Sequence, residues 1–473
     1  MFDPGHPVER GIWGLHLLPL LLAPWLFGAN RDWIWPWLLT AGMLSTVAAI
    51  LFCRFDARRH QHIQERGRLL GFAWLTIMLL LVLSLVLAPW LGLADVRASL
   101  RTTLMLGGMG LHTGVLGMLC HSRRRLRWTL MAIFINGAVL AMTGLAVALS
   151  GLDWSLLGIQ LDPVNVARAP FINRNHFAGY LAICGALGFG LLCADLNSHS
   201  YPETWGQRFR NVLVLLLSRK LFVRTLLVVI VIGLIVSQSR MGNLAFGLAL
   251  AVVGAVAVWR WRPLPPGLVP LVASIFVIDV LLAGSWFGLD RLQQRFRETT
   301  VLASAESGLA GDSLQIPVRP ATPTGTEPSD SERVRVAASS FKLLSGHWLL
   351  GVGVGGYRAA FGEFKPDSVL LHYQHAHNDW VQTLVERGLL GMLMVLATLM
   401  FAVHACLRVL TRRDDKLLRG SAVGLLTAYA VVGTHALADF NLQIPAYLWL
   451  VHVLLALSVN VLALPERSMV KLS

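Results

Sequence analysis

Long apolar stretches alternate with short polar connections along most of this 473-residue chain. A helix that crosses a bilayer needs about 20 mostly apolar residues, and about twelve stretches approach or reach that length. The pattern therefore predicts an all-α integral membrane protein with about twelve transmembrane helices. The predicted spans are 12–29, 32–53, 69–92, 100–120, 128–150, 175–194, 222–238, 241–259, 266–287, 381–406, 417–437 and 443–464.

The composition excludes an ordinary soluble protein. Hydrophobic residues make up 55% of the chain and charged residues only 14%, whereas soluble domains carry roughly a quarter charged residues. Five cysteines are present, all within predicted helices or at their predicted cytoplasmic ends, so no disulfide framework is expected. Neither a CxxC pair nor a Cys/His spacing indicates a metal site, and we expect neither a metal nor a cofactor.

The formal net charge of +14 raises the question of nucleic-acid binding, but the distribution of the basic residues argues against it. Arginine and lysine are concentrated at every second connection, which is the positive-inside pattern of inner-membrane proteins. This pattern places both termini in the cytoplasm and makes membrane lipids, not nucleic acid, the expected partner. The basic clusters fall in segments 54–68, 121–127, 195–224, 260–262 and 408–419.

One connection is long enough to form a small domain. Residues 1–287 are predicted to hold transmembrane helices one to nine, 288–378 a large outer loop, and 379–473 helices ten to twelve. Within the loop, 299–332 is rich in Ser, Thr, Gly and Pro and is predicted to be flexible. Residues 332–346 have the period of an amphipathic helix, with Val334 and Phe341 near its apolar face.

A glycine-rich segment, 351–356, follows that helix. It lacks the Gly-Lys-Ser/Thr ending of a phosphate loop, and no strand–turn–helix unit surrounds it. The pattern favours a tight turn that lets one backbone approach another.

The run His375-Ala-His377-Asn378-Asp379 precedes the tenth predicted span. Asn378 or Asp379 is a natural N-cap, which places His377 beside a helix N-terminus, where an anion is favoured. Such a histidine either transfers a proton or stabilises a leaving phosphate. Because two charges are costly in lipid, the adjacent pair Glu386-Arg387 predicts that the spanning part begins near Gly388.

Several arginines fall on the predicted outer side, against the positive-inside bias. Guanidinium groups match phosphate oxygens in a bidentate geometry, so Arg174, Arg240, Arg333 and Arg335 are candidate diphosphate ligands. Taken singly, each is more often a headgroup contact, and it is their number beside a histidine that indicates a diphosphate. Asp439 lies in the last outer turn, where it either positions an arginine or caps the final helix.

Five motifs resemble those of the O-antigen ligase/polymerase-like superfamily. They are Asn173-Arg-Asn-His-Phe-Ala-Gly-Tyr180, Ser237-Gln-Ser-Arg-Met-Gly242, the segment from Arg333 to Tyr357, the box from His375 to Gly391, and His435 to Pro445. The His377 box is the most specific of these. The resemblance covers roughly residues 160–460.

The resemblance implies a GT-C-like fold and a metal-independent transfer of a glycan from undecaprenyl diphosphate to an acceptor. The reaction would take place at the periplasmic face of the bacterial inner membrane. His377, Arg240 and Arg333 match the family's catalytic positions. The expected substrate-binding residues are Arg174, Asn175, His176, Arg335, His375, Asn378, Glu386 and Asp439.

The shared motifs leave the acceptor open. A lipid A–core acceptor would make the protein a ligase, another lipid-linked glycan a polymerase, and a protein hydroxyl an O-oligosaccharyltransferase. We favour the ligase or polymerase because no protein-recognition domain is visible. A polytopic transporter fits the helix count, but transporters place ionisable residues near the midplane, whereas these residues gather at one face.

Overall fold

The computed structural model describes residues 7–55, 95–150, 154–156, 159–161, 166–196, 219–265, 267–274, 330–365 and 373–465. The first helices are α1 (Pro7–Leu22), α2 (Ile34–Phe55), α3 (Val96–Leu119), α4 (Arg123–Ser150), α5 (Arg174–Ala194), α6 (Arg219–Val236) and α7 (Arg240–Arg260). They are followed by α8 (Asp330–Ser340), α9 (Tyr357–Phe364), α10 (Asp379–Arg412), α11 (Lys416–His435) and α12 (Pro445–Ala463). Two short antiparallel strands, β1 (Trp154–Leu156) and β2 (Ile159–Leu161), join α4 to α5.

Within these ranges, seven helices are long and apolar enough to cross a membrane: α3, α4, α5, α7, α10, α11 and α12. This is consistent with an integral membrane protein, as the hydropathy pattern predicts. The predicted span 69–92 lies outside the described residues, as do most of 266–287 and most of the predicted flexible segment 299–332. The total of about twelve spans and the GT-C fold therefore stay predictions.

Helices α1 and α6, which correspond to the predicted spans 12–29 and 222–238, are not among these seven. The predicted span 12–29 is wrong as one continuous helix, because α1 ends at Leu22 and two 3₁₀ turns follow, the first containing Pro24. Helix α6 carries three basic residues within its 18 residues. Helix α2 extends from Ile34 to Phe55 and stays mainly apolar up to Cys53, so it coincides with the predicted span 32–53.

Helix α5 forms the centre of the bundle, since every residue from Asn175 to Ala194 is buried. Its closest approach is to α11. A Cβ added to Gly190 would lie 2.6 Å from the Gly420 carbonyl oxygen and 2.6 Å from the Gly424 Cα. Small residues spaced by four allow helix backbones to pack this closely in membranes. This contact places the beginning of α5 and the end of α11 at the same end of the bundle.

The other end of the bundle is held by ion pairs between helix termini. Arg123 Nε lies 2.6 Å from Asp415 Oδ2, and Arg127 pairs with Asp195. Arg125 Nη1 lies 2.5 Å from Glu9 Oε1. The beginnings of α1, α4 and α11 therefore meet the end of α5, and these basic residues collect at one end, as the charge pattern predicts.

A buried histidine pair joins helices α1, α2, α3 and α12. The rings of His16 and His112 stack with centroids 3.9 Å apart. Ser45 Oγ lies 2.7 Å from His16 Nδ1, and Trp449 Nε1 donates to His112 Nδ1. Because each ring nitrogen of the pair has a partner, we interpret this cluster as structural.

Helix α8 and the 3₁₀ turn that follows it (Phe341–Leu344) overlap the predicted amphipathic segment 332–346, but the buried face differs from the predicted one. Val334 and Phe341 are exposed, whereas Val336, Ser340 and Leu343 are buried. Ser340 Oγ donates to the Val336 carbonyl and lies 2.8 Å from the Tyr357 hydroxyl. A polar residue therefore faces inward because it has hydrogen-bond partners there, which the apolar pattern alone does not reveal.

The glycine-rich segment brings two backbones together, as predicted. Val352 N and Gly353 N donate to the carbonyls of Val385 and Glu386, and Leu389 N donates to that of Trp348. At this point α10 is interrupted, because Gly388 has φ 61° and ψ −171°, a conformation open essentially only to glycine. The break falls at Gly388, the residue near which the spanning part is predicted to begin; that start stays a prediction.

Candidate functional site

Asp439 is the centre of a buried cluster of charged and polar side chains. It lies in the connection between α11 and α12 and is 1% exposed. His176 Nε2 is 3.9 Å from Asp439 Oδ1, and His377 Nδ1 is 4.0 Å from the same oxygen. Arg333 Nη1 is 3.9 Å from Asp439 Oδ2. The structure therefore brings together four predicted site residues from four separate segments, and Asp439 does not act as the cap of the last helix, whose N-cap is Ile444.

Phe440 joins three histidines in this cluster. Its ring centroid lies 4.7 Å from that of His176, 4.5 Å from that of His375 and 4.8 Å from that of His377. The His176 and His377 contacts are edge-on, while His375 is stacked. The phenyl ring thus packs against all three imidazoles and helps to fix their positions.

The backbone around His377 is held in an unusual conformation. His377 has φ 51°, in the left-handed region that non-glycine residues adopt rarely and often at functional sites. The neighbouring Asn378 caps α10 by accepting a hydrogen bond from Val381 N, and its amide donates to the Leu437 carbonyl. Asn378 therefore positions His377, and its side-chain contacts are structural.

Asp379 fastens this segment to the α11–α12 connection, a role that the sequence analysis missed. Its backbone N–H donates to the carbonyls of Ala436 and Asp439. Its buried carboxylate accepts hydrogen bonds from Leu442 N and from Gln443 Nε2. The only local sequence signal for this role was that Asp379 directly follows Asn378 at the start of a helix.

Two ring nitrogens in the cluster lie near the Asp439 carboxylate without a hydrogen bond to it. His176 Nε2 and His377 Nδ1 are buried and have no hydrogen-bond partner among the described residues. A buried polar group without a partner is costly, so such groups in a native protein commonly serve a ligand or a reaction.

Burial and neighbouring charges set the protonation states of this site. Burial lowers the pKa of His377 to about 4, with Asp439 raising it and Arg333 lowering it. Burial raises the pKa of Asp439, but His176, His435 and Arg333 together bring it below its usual value. At neutral pH the site therefore contains an ionised Asp439 carboxylate and a neutral His377 imidazole, which is able to accept a proton.

His375 belongs to a second hydrogen-bond chain that leads away from Asp439. Gln382 Nε2 lies 3.2 Å from His375 Nδ1 and donates to Glu386 Oε1 at 3.0 Å. Glu386 also accepts from the backbone N–H groups of Gly355 and Tyr357. Glu386 therefore ties the glycine-rich segment to α10 and is not part of the Asp439 cluster.

The beginning of α5 supplies three of the predicted residues. Asn173 caps the helix by accepting from Asn175 N, which places Arg174 in the first turn, half-buried. Asn175 and His176 are both buried. Of these three, His176 is the residue that reaches Asp439.

The Ser-Gln-Ser-Arg box forms a rigid turn between α6 and α7. Ser239 Oγ accepts from Gly242 N and so caps α7, while Gln238 has φ 53°. The Asn243 amide donates to the carbonyls of Leu234 and Ser239. Arg240 consequently occupies the first position of α7, at the same end of the bundle as His377, where its side chain is exposed and does not contact Asp439.

Two further residues complete this end of the molecule. Arg335 is exposed on α8, and together with Arg333 it lowers the pKa of Tyr373, which burial raises. His435 is fully buried at the end of α11, and neither of its ring nitrogens has a hydrogen-bond partner among the described residues. His435 was not among the predicted site residues, although it is the first residue of the motif from His435 to Pro445.

An apolar groove opens next to this site, between α10, α11 and α12. It has a volume of about 210 Å³. Its lining is mainly leucine and valine, with Trp380, Thr383 and Gln443 at one end and Arg387 as its charged residue. Gln443 also hydrogen-bonds Asp379, so the groove and the polar cluster are neighbours.

Comparison with known proteins identifies the family of this segment. Residues 225–396 match the sequence model of the O-antigen ligase family, and the resemblance to the O-antigen ligase/polymerase-like superfamily is thereby confirmed. No curated protein matches the chain. The matched range contains Arg240, Arg333 and the His377 box, and this family indicates a glycan-transfer role in O-antigen or polysaccharide assembly.

Proposed function

We propose that this protein, whose residues 225–396 match the O-antigen ligase family, transfers a glycan from undecaprenyl diphosphate to lipid A–core at the periplasmic face of the bacterial inner membrane. The observation that carries the proposal is the convergence of His176, Arg333 and His377 on Asp439 within 4.0 Å. This combination of a neutral base, a cation and an orienting carboxylate suits the displacement of an anionic leaving group.

In the proposed reaction, a hydroxyl oxygen of the acceptor attacks the anomeric carbon of the donor glycan. The bond between that carbon and the phosphate oxygen breaks, and undecaprenyl diphosphate leaves with the electron pair. His377 takes the hydroxyl proton, which its neutral imidazole is able to accept at physiological pH. The alternative role, a hydrogen bond from His377 to the leaving phosphate, requires a protonated nitrogen facing the anion.

Arg333 and Arg240 are proposed to neutralise the diphosphate as its charge develops. Arg333 is already oriented by Asp439, at 3.9 Å, and this ion pair keeps the guanidinium at the site without substrate. Arg240 is exposed at the first position of α7, where a bound anion would also meet the positive end of the helix dipole. Arg174 and Arg335 are proposed to contact the more distant phosphate or sugar groups.

The apolar groove supports a lipid-linked substrate. Its aliphatic lining suits an isoprenoid chain, and Arg387 within it suits a phosphate at the head of that chain. Because the groove adjoins the Asp379 segment, a lipid bound there would carry its head group towards His377.

A reconstituted transfer assay tests the proposal. The purified chain would be incubated with an undecaprenyl-diphosphate-linked oligosaccharide, with and without lipid A–core. His377→Ala and Arg240→Ala are expected to abolish release of undecaprenyl diphosphate. His347→Ala, a histidine of the same connection outside the cluster, is the matched control and should retain activity.

The products distinguish the acceptors. Glycan on lipid A–core establishes a ligase, while longer lipid-linked chains establish a polymerase and glycan on protein an O-oligosaccharyltransferase. Full transfer by the His377→Ala variant would overturn the site assignment. If the protein moved the lipid-linked glycan across the membrane without transferring it, the protein would be a transporter and not a glycosyltransferase.

A further inference from the structure

A second polar cavity lies at the end of the bundle opposite to His377. It has a volume of about 260 Å³ and lies between the last turn of α7 and the last turns of α10. Both helices begin at the His377 end, with Arg240 and Asp379, so their final residues lie at the other face. The cavity is lined by Arg260, His404, Leu407, Arg408, Thr411 and Arg412, a set that the glycan-transfer site does not use.

The polar residues of α10 form a stripe that descends towards the bilayer. His404, Arg408 and Arg412 are spaced by four residues and lie near one face of the helix. Helix α10 ends at Arg412, so His404 lies about 12 Å deeper along the axis. The headgroup layer is only about 5–7 Å thick on each side. A polar stripe of this length at the hydrocarbon boundary is costly unless it meets a polar partner.

The arginines of this cavity differ from other arginines at the same end of the bundle in whether a carboxylate pairs with them. Arg123, Arg127 and Arg419 at the same end each have a carboxylate partner. Across the ranges that the structure describes, Arg260, Arg408 and Arg412 have no carboxylate within ion-pair distance. Three uncompensated guanidinium groups around one cavity create a strong local preference for an anion.

The mouth of the cavity has the features of a membrane interface. Trp259 is 61% exposed, and the Arg260 guanidinium lies 3.8 Å from the centre of its ring. Exposed tryptophans of membrane proteins concentrate at the headgroup level. An anion that reaches this cavity therefore arrives from the lipid surface.

We infer that this cleft binds the phosphate group of an anionic phospholipid of the inner leaflet. Arg408 and Arg412 contact the phosphate from α10 and Arg260 contacts it from α7, while the acyl chains extend along Leu407 on the lipid-facing side. Basic pockets between transmembrane helices on the cytoplasmic side are the usual form of such sites, and guanidinium groups bind phosphate oxygens in pairs. A phospholipid bound here would link the ends of α7 and α10.

Lipid titration followed by native mass spectrometry tests this site. The full-length chain in neutral detergent would be titrated with phosphatidylglycerol and, separately, with zwitterionic phosphatidylcholine. We expect preferential binding of phosphatidylglycerol, weakened roughly tenfold or more in the Arg408→Gln/Arg412→Gln double variant, because each basic residue at an anionic lipid surface contributes about a fivefold factor.

A charge-matched variant separates a defined site from general surface charge. Arg224→Gln/Lys416→Gln removes two exposed basic residues near the beginnings of α6 and α11 at the same end without touching the cavity, and it should weaken phosphatidylglycerol binding clearly less than Arg408→Gln/Arg412→Gln does. Arg260→Gln, on the other helix, should weaken binding roughly fivefold. Size-exclusion elution at the wild-type position verifies that each variant is folded.

Three results would overturn the inference. Equal losses in the two double variants would mean that only surface charge is measured. Equal affinity for the two lipids would remove the preference for an anion. Displacement of phosphatidylglycerol by inorganic phosphate at millimolar concentration would assign the cavity to a free phosphate anion.

Discussion

Arg333 on α8 and Asp439 in the α11–α12 connection lie 3.9 Å apart, from Nη1 to Oδ2. The pair joins the large loop to the transmembrane bundle, and it is buried on the Asp439 side. Asp439 also lies within 4.0 Å of His377. One carboxylate therefore orients both the cation and the base that the proposed transfer reaction requires.

Replacing Arg333 by lysine should reduce glycan transfer by about 10²–10³-fold, the loss typical of removing one positioned charge-stabilising group. Lysine keeps the charge but loses the planar fork that binds Asp439 and a phosphate together. The measurement is kcat/KM in the reconstituted assay. Arg358→Lys, at an exposed position of α9, is the matched control, and comparable losses in both variants would remove the special role of Arg333.

The pH dependence of transfer should reflect the low pKa of His377. A histidine base works when neutral, and burial lowers the pKa of His377 from 6.5 to about 4. We therefore expect kcat/KM to be unaffected by this group from pH 7 down to about pH 5 and to fall as the pH approaches 4. Recovery of activity in samples returned to pH 7 controls for denaturation. A fall of kcat/KM with a midpoint near pH 6.5 would contradict the lowered pKa of buried His377.

Replacing Glu386 by glutamine should destabilise the large loop without removing a reacting group. The carboxylate accepts from Gln382 Nε2 at 3.0 Å and from two backbone N–H groups, and a glutamine amide would turn one acceptor into a donor. We expect a loss of about 1–3 kcal/mol in folding stability, measured by thermal unfolding in detergent. A variant with wild-type stability and no transfer would instead place Glu386 in the chemistry.

Replacing Gly388 by alanine should destabilise the protein strongly. Gly388 has φ 61° and ψ −171°, and an added Cβ would lie 2.3 Å from the carbonyl carbon and oxygen of Leu349. The strain alone costs about 1–3 kcal/mol, and the overlap with backbone atoms adds to it. Thermal unfolding should show this loss, whereas Gly362→Ala on α9, with open space around its Cβ, should be neutral or stabilising. Equal effects of the two substitutions would refute the argument.

The sequence determined the features of this protein that depend on neighbouring residues. Apolar length predicts the membrane helices, Asn378 predicts the start of α10, and the glycines at 351–356 predict a close backbone approach. Each rests on local geometry or on the solvation of one segment. The convergence of the polar motifs on one end also follows from sequence, because alternate connections of a helical bundle share a face.

The tertiary structure decided which of those polar residues meet. His176, Arg333 and His377 reach Asp439, whereas Glu386 turns to the glycine segment and Arg240 stays exposed. The close packing of Gly190 against Gly420 and Gly424 sets how α5 meets α11, and the Ser340–Tyr357 hydrogen bond helps set the inward face of α8. These contacts join residues far apart in the chain, so their outcome depends on packing between helices, which no local pattern contains.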